Sequence, residues 1–409
     1  MTTQKMNYVL VTVLLMLSFA CGIPAPAPPT VAPLTQPVIS TPFSTQIEDR
    51  GEPDSALLKF LRYIPDTEDY RQWLTYGDAA VWYQSWGITR PDSVEALKNL
   101  DPEQKPYIQQ ILPMQTIPPD SLRTEYLLSE DQRDMFGFDL LNLDRYMEAG
   151  YPPHAITVVE FSFPNQKIED ALTKQGYHAQ KLDTGMLYYI RKDYEIDAKS
   201  PIRTNQLANL NRIFVLDQRL IIGSATDVVQ NAVDAYSDQI PSLADNDEYL
   251  AAVLALENDI LGDKGNLVGA VFMDSEMFSN LGPIPDSYHQ KPLHVFDLAL
   301  FATLQKADTA YLVLALVFPN GTDAQSTADI IAERLKDYTS LRYKGKLDDY
   351  WMFEKADGIE ANGLPVALVV MRAEASEPKE IAAGIYGVTI WRWIDMIEAR
   401  DLLFLISEP

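Results

Sequence analysis

Chemistry in a protein needs particular side chains at particular spacings, and this chain offers few. Its four histidines, His154, His178, His289 and His294, include no HExxH pair, and its one cysteine, Cys21, rules out a thiolate metal site. Ser224 has Ile222 and Thr226 where a nucleophile elbow needs glycines. No glycine-rich phosphate loop of either common type occurs, so nucleotide cofactors lack their usual cradle. Asp245-Asn246-Asp247-Glu248 groups hard oxygen ligands. However, an EF-hand counted from Asp245 needs Gly at the sixth place and Glu at the twelfth, where Leu250 and Leu256 stand. The expectation is therefore no catalytic, cofactor-binding or metal-ligating residue and no cofactor. Flat aromatic rings are the remaining candidates. Trp82, Trp86 and Trp351 are types that stack on apolar sugar faces, although aromatics at helical spacing, as in Ala79, Trp82, Tyr83 and Trp86, more often form a core.

The elements that would position these residues read most clearly between Ile213 and Leu256. Two β-branched runs, Ile213 to Leu216 and Arg219 to Ile222, flank Asp217-Gln218 and predict a tight hairpin. Ser224 with Asp227 predicts a capping box, and Val229, Ala232, Val233 and Tyr236 give the stripe of an amphipathic helix. Asp245 is then the expected cap of a second helix carrying Tyr249, Leu250, Val253 and Leu254. The succession of Leu220-Ile221-Ile222-Gly223-Ser224, a helix, and Pro241-Ser242-Leu243-Ala244-Asp245 before another helix resembles a family of exported bacterial proteins. That family is a domain of unknown function common among predicted lipoproteins. The resemblance covers residues 213–256 and rests on structural positions. It implies a cell-envelope location and supplies no catalytic residue.

The N-terminus points the same way. Lys5, the apolar run Tyr8 to Leu17 and small residues before Cys21 have the layout of an export signal, residues 1–20. Leu17-Ser18-Phe19-Ala20-Cys21 resembles the lipobox at which lipoproteins are cleaved and lipidated on cysteine, here Cys21. Ser18-Phe19-Ala20 also fits an ordinary small-x-small cleavage site. Residues 21–50 carry Pro24, Pro26, Pro28, Pro29, Pro33, Pro37 and Pro42, a composition that buries too little apolar surface to fold. At ~3 Å per residue for an extended proline-rich chain, this stalk reaches up to roughly 90 Å.

The net charge of −25, more negative once Lys5 is removed, repels phosphate backbones and anionic lipid. The expected partners are thus the membrane, through the N-terminal lipid only, and an unknown envelope protein or ligand; nucleic acid is not expected.

For the body, residues 51–150 read as an α-rich cap region, broken by Pro102, Pro106, Pro113, Pro118 and Pro119 and helical from after Asp139 to Gly150. Two α/β modules follow, 151–262 and 263–409. Phe163-Pro164-Asn165 matches Phe318-Pro319-Asn320, each between a strand and a helix. Lys181-Leu182-Asp183 matches Lys346-Leu347-Asp348, and Arg219 to Ile222 matches Ala367 to Met371. The reading is an α+β fold of two tandem ferredoxin-like, split β-α-β modules with mainly antiparallel sheet. Terminal strands are expected at Ile385 to Trp393 and Leu402 to Ile406. The function expected is that of a non-enzymatic extracytoplasmic lipoprotein, a binding or scaffold module anchored in the cell envelope. The alternatives are an extracytoplasmic carbohydrate-active hydrolase with paired carboxylates, and a solute-binding receptor of an uptake system with a cleft between its halves.

Overall fold

The computed structural model describes residues 55–85, 89–91, 93, 95–96, 99, 119, 122, 130–138, 140–182, 184–197, 209–278, 281, 291–306, 309–374 and 385–407. All fall within the compact unit 45–409. Cys21, the stalk and Trp86 lie outside the described residues.

The Ser55 side chain accepts from Leu58 N–H and starts helix α1, Ala56–Leu61. Strand β1, Trp73–Asp78, runs into α2, Ala79–Ser85. Strands β2, Leu143–Ala149, and β3, Ile156–Phe161, lead to α3, Asn165–Lys174, and then to β4, His178–Lys181, and β5, Met186–Tyr189. The hairpin β6, Arg212–Leu216, and β7, Arg219–Gly223, turns at Asp217-Gln218 as expected, with Gln218 at φ 54°. Helices α4, Thr226–Tyr236, and α5, Asp247–Leu256, follow. The remainder is β8, Asn266–Asp274; β9, Leu298–Lys306; β10, Thr309–Val317; α6, Ala324–Asp337; β11, Met352–Ala361; β12, Leu364–Glu374; and α7, Ile385–Glu398.

The twelve strands among the described residues form one sheet in the order β11-β12-β10-β9-β8-β1-β2-β3-β7-β6-β5-β4, and every neighbouring pair is antiparallel. The fold is thus α+β with an antiparallel sheet. Outward from the central β1–β8 pair, the two halves share a plan. A hairpin (β2–β3 or β9–β10) passes into a crossover helix (α3 or α6), and a second hairpin (β6–β7 or β11–β12) returns to lay its second strand against β3 or β10. The first half adds β4 and β5 beyond β6.

Three expectations are corrected. Residues 51–150 are not simply an α-rich cap, because β1 and β2 stand at the middle of the sheet. Nor are the modules separate, since β1 pairs with β8 from Trp73↔Met273 to Gly77↔Gly269, and the place of a ferredoxin-like fourth strand beside β10 is taken by β9. Ile385 to Trp393 and Leu402 to Ile406 are not strands: the first lies in α7, and the second contains a 3-10 turn, Leu403–Leu405. The β-branched and aromatic residues of α7 suggested a strand, but its buried positions, Trp393, Ile394, Met396 and Ile397, have helical spacing. The matched motifs also shift. Phe163-Pro164-Asn165 and Phe318-Pro319-Asn320 do lead from β3 and β10 into the crossover helices, but it is β6, not β5, that occupies the place of β11.

Both faces of the sheet are covered, which is why β10 and β12 are near-continuous apolar runs. On one face Val159, Phe161, Leu220 and Ile222 meet Ile168 and Leu172 of α3, and Leu312, Leu314, Val369 and Met371 meet Ile331 and Leu335 of α6 and Trp393 of α7. On the other, Tyr249 of α5 stacks on Phe272 of β8 at 5.2 Å. The small residues Ala251, Ala252 and Ala255 are fully buried in α5.

Candidate functional site

A row of charged side chains crosses β1, β2, β3 and β7. Asp78, Arg145, Glu160 and Arg219 occupy directly opposed positions on these four neighbouring strands, alternating in sign. Arg145 Nε donates to Asp78 Oδ2 at 2.7 Å and its Nη1 to Glu160 Oε1 at 3.1 Å, while Arg219 Nε lies 3.5 Å from Glu160 Oε2. Arg219 Nη1 donates to Tyr63 Oη at 2.9 Å, and the Tyr63 ring stacks on Tyr236 of α4 at 4.3 Å. Asp78 Oδ1 also accepts from Val81 N–H at 2.8 Å and so holds the start of α2. Burial raises the Asp78 carboxyl above the usual carboxylate range, with Val81 N–H and Arg145 opposing the rise. Each of these charges faces an opposite one, an arrangement that joins strands to α2, α1 and α4.

Other polar clusters act similarly as ties. Asp193 accepts from Thr226 N–H at 2.6 Å and from Arg212 at 2.8 Å, which fastens the start of α4. The α4 cap is therefore not the expected Ser224, whose hydroxyl donates instead to the Pro153 carbonyl. Asp245 closes a capping box with Ser242, and it is Asn246 that caps α5 by accepting from Glu248 and Tyr249 N–H. The buried Asp401 carboxylate accepts from Tyr338 and Ser340 hydroxyls and from Leu341 and Arg342 N–H, pinning the chain end to the loop after α6. Among the described residues no group of three or more His, Cys, Asp or Glu is placed to hold a metal ion.

Trp82 and Trp351 do not form a stacking platform. Trp82 is 3% exposed and Trp351 2% exposed. Trp351 packs edge-on to Trp393 at 5.3 Å, inside the core under α6 and α7. Burial of these rings removes the faces that a sugar would need. His154, His178 and His294 are exposed; His289 lies outside the described residues.

A concave feature among the described residues lies elsewhere, at one end of the sheet. An open groove of about 610 Å³ runs between α6 and the edge strand β11, lined by Asp329, Ala332, Glu333 and Lys336 from the helix and by Phe353 to Asp357 from the strand. Lys336 Nζ sits 4.6 Å from the centre of the Phe353 ring. Lys355 pairs with Asp357 at 2.8 Å, and Lys264 with Glu354. Beside the groove Gln325 of α6 reaches the outer side of β11. Its amide nitrogen donates to the Ala356 carbonyl at 3.3 Å, and its amide oxygen accepts from Gly358 N–H at 2.8 Å. No sequence motif announced this groove. The one signal was Gly358, where a Cβ would come within 2.1 Å of Gln325 N.

The fold and this edge define an α+β protein built on one antiparallel sheet with a charged groove at its rim. No family model matches the chain, and no characterised protein matches it in sequence. Among solved structures it is similar to TP0453 in crystal form III, at 9% identity and a TM-score of 0.33, and in crystal form I, at 8% and 0.34. Each alignment covers 80% of this chain and 97% of that one. A likeness at this level carries no argument about role.

Proposed function

We propose that this chain is a non-enzymatic binding or scaffold module of the bacterial cell envelope, exported and held on the extracytoplasmic side of a membrane by lipid on Cys21, with residues 22–50 as its stalk. The leader, the lipobox-like run and the proline-rich segment support export and anchoring. No helix among the described residues is long and apolar enough to cross a membrane. The observation that carries the binding reading is the open groove beside β11, which places charged side chains and strand-edge backbone in one accessible surface. The two halves are read as copies of one split β-α-β module joined through β1 and β8. The hydrolase alternative combined paired carboxylates with the tryptophans, and the receptor alternative needed a cleft between halves; the burial of Trp82 and Trp351 and the strand pairing between the halves favour the binding-module reading over both.

The test is expression in a bacterial host fed an alkyne-bearing fatty acid. The wild-type chain is expected to take up label and to sediment with membranes, and Cys21→Ala to lose the label and appear in the soluble fraction. Unlabelled wild-type protein would remove the anchoring half of the proposal. For the binding half, photo-cross-linking from α6 surface positions in intact cells is expected to give one reproducible adduct.

A further inference from the structure

We infer that the outer edge of β11 is a strand-addition site for an extended basic segment of a partner protein, and that Gln325 is the plug this segment displaces. The inference rests on the binding-module reading and gives it a site and a ligand chemistry.

The backbone supplies the first argument. In an antiparallel pair the N–H and C=O of one residue point to the same side and those of the next to the other. Ala356 O and Gly358 N meet Gln325, so they face away from β12, and the same alternation turns Glu360 outward. No strand among the described residues lies on that side. The Gln325 amide, giving one hydrogen bond to Ala356 and taking one from Gly358, imitates the peptide group of a missing neighbour. The position is thus shaped for a peptide, and an exposed side chain holds it in the meantime.

Charge supplies the second. Gln325 also donates to Asp329 Oδ1 at 3.0 Å, so Asp329 steadies the plug. Asp329 and Glu333 stand one helical turn apart on the exposed side of α6; Glu333 meets Lys291, Glu354 meets Lys264 and Asp357 meets Lys355, which leaves Asp329 as the groove carboxylate that meets no cation among the described residues. A lysine or arginine of an incoming strand would pair with Asp329, withdraw its hold on Gln325 and leave Ala356 and Gly358 to the new backbone. Side chains alternating with the basic ones would lie toward Phe353 and Ala332. Strand addition draws affinity from main-chain hydrogen bonds and specificity from alternate side chains, the two features present here.

The test uses the full-length chain in detergent and a fluorescent peptide of about nine residues alternating lysine and valine, long enough to span the strand. Three comparisons accompany it: glutamate in place of lysine, N-methylation of alternate amides, and the variants Gln325→Ala and Asp329→Lys/Glu333→Lys. These residues are exposed, so the variants keep the fold, which circular dichroism checks. The lysine peptide is expected to bind, with at least about tenfold weaker binding of the glutamate and N-methylated peptides. Gln325→Ala is expected to bind severalfold tighter and the double charge reversal at least about tenfold weaker. Equal binding of the N-methylated peptide would show mere attraction to an acidic protein, and equal binding by the charge-reversed variant would place the peptide elsewhere; either overturns the site. Dimerisation of Gln325→Ala in sedimentation, without peptide binding, would make a second copy the occupant and overturn it too. A cellular adduct equally abundant from wild type and the charge-reversed variant sinks this site and leaves the binding module standing; no adduct from either sinks the module.

Discussion

At the scale of single residues, Arg145 bridges two carboxylates, facing Asp78 on one side and Glu160 on the other. Replacing it with methionine strands the buried Asp78 carboxylate and is expected to cost about 2–4 kcal/mol, somewhat less than a fully buried pair because the arginine is partly exposed. Urea unfolding measures this. Asp78→Asn added to Arg145→Met is expected to recover part of the loss, and a loss below about 0.5 kcal/mol would show that the row of charges is ornamental. Asp274 gives a pH-dependent prediction. Burial first, and then repulsion from Glu276 and Glu68, raise its carboxyl, while Met277 N–H lowers it. A raised carboxyl binds its proton more tightly when folded, so its favourable contribution is complete below the unfolded value and is lost as pH rises through the folded one. Asp274→Asn should therefore raise the urea midpoint at pH 7.5 and leave it unchanged near pH 3.5. A larger effect in acid would contradict the sign. Neither environment was legible in the sequence. The segment holding Arg145 and Glu148 read as helix, yet both lie in β2, where Asp78 of β1 and Glu160 and Thr157 of β3 supply their partners.

Elements were legible where local chemistry decided them. Asp217-Gln218 between two β-branched runs is sufficient for a hairpin, and Phe-Pro-Asn ends a strand and opens a helix in both halves. α7 was not legible, because its isoleucines, valine and tryptophans favour strands locally, whereas burial of Trp393 and Ile397 against the sheet favours a helix. The contact of α6 with β11 is the element-scale feature most open to test. A Cβ on Gly358 would stand 2.1 Å from Gln325 N and 2.6 Å from Ala324 C, backbone atoms that move only with the helix. Gly358→Ala is expected to cost about 1–3 kcal/mol through that displacement. It should also make β11 amides near residue 358 exchange faster with deuterium, whereas unchanged exchange would show that the helix yields without loosening the edge.

For the described body as a whole, the pairing of β1 with β8 makes one sheet of two halves, so neither half has a complete set of strand partners alone. Residues 51–262 and 263–409 expressed separately are expected to aggregate, and co-expression to recover soluble complex. Calorimetry of the intact chain should show a single transition; two well-separated ones would mean that the halves are energetically independent. The composition announced sheet and helix together, but nothing local joins Thr75 to Val271, and a join of that span can be read only from the folded chain. The same pairing bears on biogenesis. β1 is the first described strand that a ribosome would complete, yet its two neighbours begin at Leu143 and Asn266. The keel of the molecule is laid early and must wait, bare on both flanks, while most of the hull is still being made. Such remote closure slows folding, and slow closure keeps a chain threadable, the condition that the proposed export would impose.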